Sequence, residues 1–418
     1  MTLTPPPLRN DCFSLPAGVD WTPVDEALAL LRDRVRRVVP SESLPLTKAL
    51  GRVLAADVIA KRSNPALPNT AVDGYGFAGA VAEGAHVLPL VPGRAAAGLA
   101  YEGAVPAGQA IRILTGAALP AGVDTVILEE DVTLGSGEIA FRGPLKQGAN
   151  TRRAGEDFSR GAAVLTARRV VTPADLALAA AAGVSEVEVY KPLRVGVLST
   201  GDELCEVGEV AAPGQIYDAN RPMLLALLRQ MGFLPVDLGR VSDDRAALRA
   251  RLNAAATEVD VILTSGGASA GDEDHVSALL RESGALQEWR IALKPGRPLA
   301  LAVWNGVPVF GLPGNPVAAL VCTLIFARPA MGQMAGTNWL QPQGFELPAD
   351  FAKRKKTGRR EYLRARVRDG QVEVFKSEGS GRISGLSWAE GLVELGDGAL
   401  AIHPGDPVRF IPYDSFRL

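Results

Sequence analysis

Between residues 191 and 332 the chain alternates short apolar, β-branched runs with helix-patterned stretches, and no other feature limits its fold as strongly. Strands are expected over 194–198, 234–238, 259–264, 299–303 and 307–312. Helices are expected over 221–231, with Asn220 as cap, over 244–256 and 275–282, and after Pro316. Strands that alternate with helices predict a doubly wound, largely parallel α/β sheet. Ligands of such sheets sit beyond the carboxyl ends of the strands.

The flanking segments read differently. Helices are expected over 21–60, with Thr22-Pro23 opening the first and 47–57 forming a second, and again where Thr172-Pro173-Ala174-Asp175 starts a helix that Gly183 ends. Between them, short strands at 86–91, 110–114, 125–132 and 138–142 alternate with Gly and Pro. The expectation is a discontinuous helical domain (1–60 and 151–190) with a small β domain (61–150) inserted in it. The α/β domain (191–332) follows, then a C-terminal β-barrel-like domain (340–418) in which Asp369-Gly370 marks a hairpin.

Composition removes several function classes. Lys+Arg (44) and Asp+Glu (46) leave a net charge of −2, which lacks the basic field of a dedicated nucleic-acid binder. Three cysteines and three histidines lie scattered, giving neither a disulfide framework nor a zinc site. The first residues do not read as a secretory signal, and the apolar runs at 176–184 and 317–327 fall short of the ~20 residues a bilayer span needs. A cytoplasmic location without nucleic-acid or membrane partners is expected.

Three strand ends lead into Gly turns with hydroxyl or amide side chains: Ser199-Thr200-Gly201-Asp202-Glu203-Leu204, Thr264-Ser265-Gly266-Gly267-Ala268-Ser269 and Leu312-Pro313-Gly314-Asn315-Pro316. Glycine admits a ligand close to the backbone, and amides at the next helix start attract anions. One such turn is commonly only a tight turn; three in one domain favour a phosphate-bearing ligand. Asp202, Glu203, Asp218, Asp243, Asp244, Asp272, Glu273 and Asp274 lie between the expected elements. Singly each is a cap or a solvated loop residue, and Asp243 and Asp244 suit the start of the next helix. Together they suit a hard cation such as Mg2+, which takes carboxylate and phosphate oxygens. Lys294-Pro295-Gly296-Arg297-Pro298 holds two cations on a stiff turn that suits an oxyanion, the plain alternative being a surface turn. The basic run at 353–356 reads as a solvated loop that would steer anions if it lay near a phosphate site.

These turns stand in an ordered series with Asp73-Gly74-Tyr75, Leu114-Thr115-Gly116-Ala117, Arg152-Arg153-Ala154-Gly155-Glu156-Asp157 and Ile216-Tyr217-Asp218-Ala219-Asn220-Arg221. Over nearly the whole chain the series resembles the molybdopterin molybdenumtransferases, the family of MoeA and the gephyrin E domain. The resemblance implies a four-domain, elongated homodimer that inserts molybdenum from molybdate into adenylylated molybdopterin and releases AMP, the last step of molybdenum cofactor synthesis. It implies a divalent cation, Mg2+ or another, organised by Asp202, Glu203, Asp243 and Asp274. It gives Lys294 and Arg297 to phosphate or molybdate, and Ser265, Gly266, Gly267, Ser269, Pro313, Gly314 and Asn315 to the pterin nucleotide. Asp73 and Thr115 would reach the partner subunit's site, and Arg364 and Ser387 would bind substrate from the terminal domain. Further implied partners are the molybdopterin adenylyltransferase and recipient molybdoenzymes.

The chain departs from the family pattern at Thr70 (usually Ser), Val72 (Met), Arg297 (Lys) and His275 (Tyr). The acidic stretch 272–274 leaves the metal acid open between Asp272 and Asp274. Two competing readings are an adenylyltransferase, which would need neither the β insert nor the terminal domain, and a gephyrin-type scaffold that binds a peptide without catalysis.

Overall fold

The computed structural model describes residues 21–266, 275–282, 287–296 and 298–417. They form two compact units: one is Glu42–Val189, and the other joins the chain up to Ser41 with the chain from Tyr190 onward.

The larger unit is built on the expected sheet. Its elements are β1 (Arg194–Thr200), α1 (Asn220–Gln230), β2 (Leu234–Val241), α2 (Arg245–Glu258), β3 (Val261–Ser265), α3 (His275–Glu282), β4 (Gln287–Arg290), β5 (Pro298–Trp304) and β6 (Val307–Leu312). The strand order is β2-β1-β3-β6-β5-β4. The first four strands run parallel, while β5 and β4 add antiparallel pairs at one edge. Successive residues feed opposite cores. Val195, Val197, Val261, Leu263 and Phe310 pack on one face with Leu224 and Leu228, whereas Leu198, Ile262 and Val309 pack on the other with Leu248, Leu252 and Leu279. That is the continuous apolar run of a strand covered on both sides.

After Asn315 the chain is helical over Pro316–Cys322, a π turn at Thr323–Ala327, and Arg328–Met334. Among the described residues this is the one helix long and apolar enough to cross a membrane, so the apolar stretch exceeds the run at 317–327 read from sequence. Its window is 94% buried, as a core helix requires. The leading helix Val24–Arg34 packs Val24, Ala27 and Leu31 into the same core. Thr22 does not cap it: Pro23 occupies that position without a side-chain bond, and Thr22 bridges to Ile291.

The terminal residues build a sheet ordered Leu293–Lys294, Arg360–Arg368, Gly391–Leu395, Pro407–Pro412 and Phe345–Pro348. The Asp369-Gly370 hairpin forms as expected, both residues having positive φ (49° and 77°), as a type I′ turn demands.

In the smaller unit a six-stranded sheet runs Thr125–Leu128, Gly74–Phe77, Ala110–Ile113, Val81–Ala95, Glu138–Leu145, Val132–Leu134. Gly74 is required there, because a Cβ would lie 1.8 Å from the Ile127 carbonyl oxygen. Helix Pro173–Ala181 opens where expected, and Thr172 and Asp175 form a capping box at its start. The expected helix at 47–57 is absent. A 3-10 turn at Leu46–Lys48 gives way to bridges from Val53 to Val170 and Leu54 to Val189, so long-range pairing overrides local helical pattern.

Candidate functional site

The carboxyl ends of β1, β3 and β6 converge, and one side chain holds them together. The Asn220 amide donates to the Ser265 hydroxyl (2.8 Å) and to the Gly314 carbonyl (2.7 Å). Asn220 is the first residue of α1, not its cap; the cap position belongs to Ala219. Gly266 (φ +95°) lies so close to β1 that a Cβ would stand 2.6 Å from the Thr200 carbonyl oxygen. Pro313 is buried, while Gly314 and Asn315 are exposed on the same turn.

Around this junction the hydroxyls of Ser199, Thr200 and Thr264 and the Asn220 Oδ1 are buried without a hydrogen-bond partner among the described residues. Orphaned polar atoms are costly unless a ligand, water or neighbouring loop meets them. Gly267, Ser269, Asp272, Glu273, Asp274 and Arg297 lie outside the described residues.

The acids separate by role. Asp202 and Asp243 meet at the ends of β1 and β2: the Asp243 amide donates to Asp202 Oδ1 (3.1 Å), and the Asp202 amide to Asp243 Oδ2 (3.3 Å). Glu203 instead folds back on its own turn, its Oε2 2.3 Å from where a Cβ on Gly201 would be. Asp218 does not belong to a cation cluster, because it is 2% exposed and holds the Arg221 amide and guanidinium. Asp244 caps α2 by accepting the Ala247 amide at 2.7 Å, as its plain reading has it. Among the described residues no group of three His, Cys, Asp or Glu is placed to hold a metal ion. The Asp202–Asp243 pair does suit Mg2+, which is commonly held by one or two carboxylates plus substrate phosphates.

Lys294 is positioned by the terminal domain. Its short strand pairs in parallel with Arg360–Arg368, setting Lys294 opposite Glu361. Its ammonium lies 2.5 Å from Glu378 Oε2 and 3.5 Å from Glu361 Oε1. Lys353 approaches the same two acids, at 3.1 Å from Glu361 Oε2 and in a short contact with Glu378 Oε1. Burial pulls the Lys353 ammonium's pKa down, but its bonds to Glu378 and Glu361 outweigh that and raise it. Lys294, Lys353 and Glu378 line a cavity of 210 Å³ that Phe375 and Val317 also border. Arg364, buried, spends its guanidinium on the carbonyls of Ser377, Gly379 and Arg382, so it anchors a cavity-lining loop rather than presenting a free cation. The Val317 amide donates to the Ser380 carbonyl (3.2 Å), joining that loop to the Asn315 turn. Ser387 is exposed on the helix Ser384–Trp388 and is not among the cavity's lining residues.

In the smaller unit, Asp73 Oδ1 accepts both the hydroxyl and the amide of Thr115 at 2.6 Å. These two bonds hold the Asp73 carboxyl below the usual carboxylate range. Thr70, buried, supports the loop by exchanging bonds with the Val72 backbone (2.7 and 3.2 Å), so the hydroxyl retained at this position is used.

Three groups escaped the sequence reading. Asn220 looked like a cap because a polar residue before an apolar helix usually is one. Glu361 and Glu378 carry no local motif. Lys353 and Lys355 looked solvated, yet Lys355 is 5% exposed and donates to the Lys356 and Gly398 carbonyls.

Comparison with known proteins places the chain. Family models match over residues 22–183 (MoeA N-terminal region, domains I and II), 196–333 (probable molybdopterin binding domain) and 346–413 (MoeA C-terminal region, domain IV). The chain belongs to the MoeA family. It is 37% identical to a molybdopterin molybdenumtransferase of Haemophilus influenzae, the match covering 84% of this chain and 88% of that one. It is 35% identical to molybdopterin molybdenumtransferase 2 of Mycobacterium tuberculosis over 88% of this chain and 94% of that one. The crystal structure of the molybdopterin biosynthesis MoeA protein from Pyrococcus horikoshii superposes with a TM-score of 0.82 at 28% identity, covering 94% of this chain and all of that one.

Proposed function

We propose that this chain transfers molybdenum to molybdopterin, taking adenylylated molybdopterin and molybdate and releasing AMP. The observation that carries this reading is the junction of three glycine turns, with four orphaned buried polar atoms, joined through Val317 to a lysine-lined cavity. One region suits a phosphate-bearing heterocycle and the other a tetrahedral oxyanion.

In this reading the turns at Ser265-Gly266 and Pro313-Gly314-Asn315 hold the nucleotide, and Asn220 sets their spacing. Lys294 and Lys353 hold the oxyanion beside it. Asp202 and Asp243, with Asp274, would hold a divalent cation. When bound, that cation neutralises phosphate charge and eases cleavage of the phosphoanhydride. The protein's own contribution is to orient both reactants and to exclude water with the apolar walls Phe375 and Val317.

The reading extends to a homodimer that places Asp73 and Thr115 at the partner's site, to the four-domain division set out above, and to the cytoplasm as location. The test supplies purified chain with adenylylated molybdopterin, molybdate and Mg2+, and follows AMP release and reconstitution of a cofactor-free molybdoenzyme. Turnover should disappear with EDTA, return with Mg2+, and fall sharply in Lys294→Ala and Asp274→Asn. Full activity in both variants rejects the assignment.

A further inference from the structure

The lysine pair at this cavity is already matched by two carboxylates. Glu378 bridges Lys294 and Lys353, one carboxylate oxygen to each ammonium, and Glu361 contacts the same two lysines from beneath. Two ammonium charges thus face two carboxylates, and an incoming anion finds no net attraction from this group. The two acids differ in how they are held. Glu361 lies in a central strand, paired to Leu395, with its side chain 9% exposed. Glu378 lies on a loop beside Gly379, with its side chain 46% exposed. Arg364 pins the loop by the Ser377, Gly379 and Arg382 carbonyls, so the backbone is held independently of the bonds that the Glu378 side chain makes to the lysines.

We infer that Glu378 is a built-in stand-in for the substrate oxyanion, a carboxylate that occupies the lysine pair at rest and that a tetrahedral dianion displaces into solvent. This deepens the function proposed above and rests on it. Both lysines can turn to the newcomer, because the 210 Å³ cavity is many times the space one water needs. Glu378 is the half-exposed member of each pair, at 46% against 24% for Lys294 and 10% for Lys353, so it can return to water while the incoming anion replaces it as the partner of the lysines. The arrangement also selects by charge. A monoanion gains nothing over the carboxylate it evicts, whereas a dianion gains roughly twice the Coulomb attraction to each lysine.

The experiment is calorimetric titration of the full-length chain with sodium molybdate alone, repeated with formate as a monoanionic probe. Glu378→Gln removes the resident charge, and Glu373→Gln removes one charge from the same domain at a residue paired with Arg366 instead. Glu378→Gln should bind molybdate about tenfold more tightly than the parent chain, and Glu373→Gln should match the parent. Formate should bind measurably only to Glu378→Gln. If the parent chain binds molybdate and Glu378→Gln binds it no better, or if Glu373→Gln tightens binding equally, the stand-in role falls while the transferase reading survives. If neither chain binds molybdate and Lys294→Ala retains full turnover, the placement of the oxyanion and this inference fall together.

Discussion

Asn220 and Ser265, 45 positions apart, are joined by a buried hydrogen bond, and the same amide nitrogen reaches the Gly314 carbonyl. One side chain therefore sets the distance between the two turns assigned to the nucleotide. Asn220→Ala removes both bonds at a site 7% exposed. It should lower stability by about 1–3 kcal/mol, read by denaturant titration, and reduce AMP release at least tenfold while the chain remains folded.

Gly266 combines a positive φ with close approach to Thr200. Gly266→Ala must strain the turn or push β1 aside, at a cost of about 1–3 kcal/mol. Nucleotide binding should be lost before the fold is, which titration with AMP beside thermal melting will separate.

Thr115 supplies both bonds that hold the Asp73 carboxyl below its ordinary value. Thr115→Val deletes the hydroxyl and retains the amide. The Asp73 carboxyl should then titrate at higher pH, closer to an ordinary aspartate, by carboxyl-carbon NMR. Turnover should fall while the melting temperature stays near that of the parent.

Cys322 lies beneath the lysine turn, its sulfur 2.9 Å from where a Cβ on Gly296 would be, and burial pushes its thiol up to about 12. A thiol so placed stays protonated and unreactive at pH 8. Iodoacetamide should spare Cys322 in the native chain and modify it after unfolding, as mass spectrometry of the peptides will show.

Asp25 on the leading helix receives both outer nitrogens of Arg360 at 2.8 Å. The Arg360 guanidinium holds the Asp25 carboxyl below its ordinary value. A depressed folded-state value adds stability that is present above about pH 4 and is lost as pH falls through that value. Melting temperature should therefore drop on acidification below about pH 4, and Asp25→Asn should reduce the drop slightly. The effect is small because Asp25 is largely exposed.

Much of this molecule was legible in its sequence because strand and helix periods leave marks a few residues long. Helix His275–Glu282 and strand Val307–Leu312 have the expected bounds, and the glycine turns fall at the strand ends where α/β architecture puts ligands. Failures occurred where distant pairing decides. Residues 47–57 look helical locally but bridge to Val170 and Val189. The Lys294 cluster was half visible: its lysine stands in a marked turn, whereas Glu361 and Glu378 reach that lysine only through the terminal sheet and loop. Asp218 and Asp202 look alike in sequence, and only Arg221 beside the first tells a structural ion pair from a ligand.

The strand Leu293–Lys294 is encoded inside the α/β segment yet is stitched into the terminal sheet at Arg360 and Glu361. Domain borders drawn along the sequence therefore cut through the lysine cavity. A fragment ending near residue 340 would keep the glycine turns and forfeit the strand partner that aims Lys294, so in this chain the two modules depend on each other for the placement of that lysine.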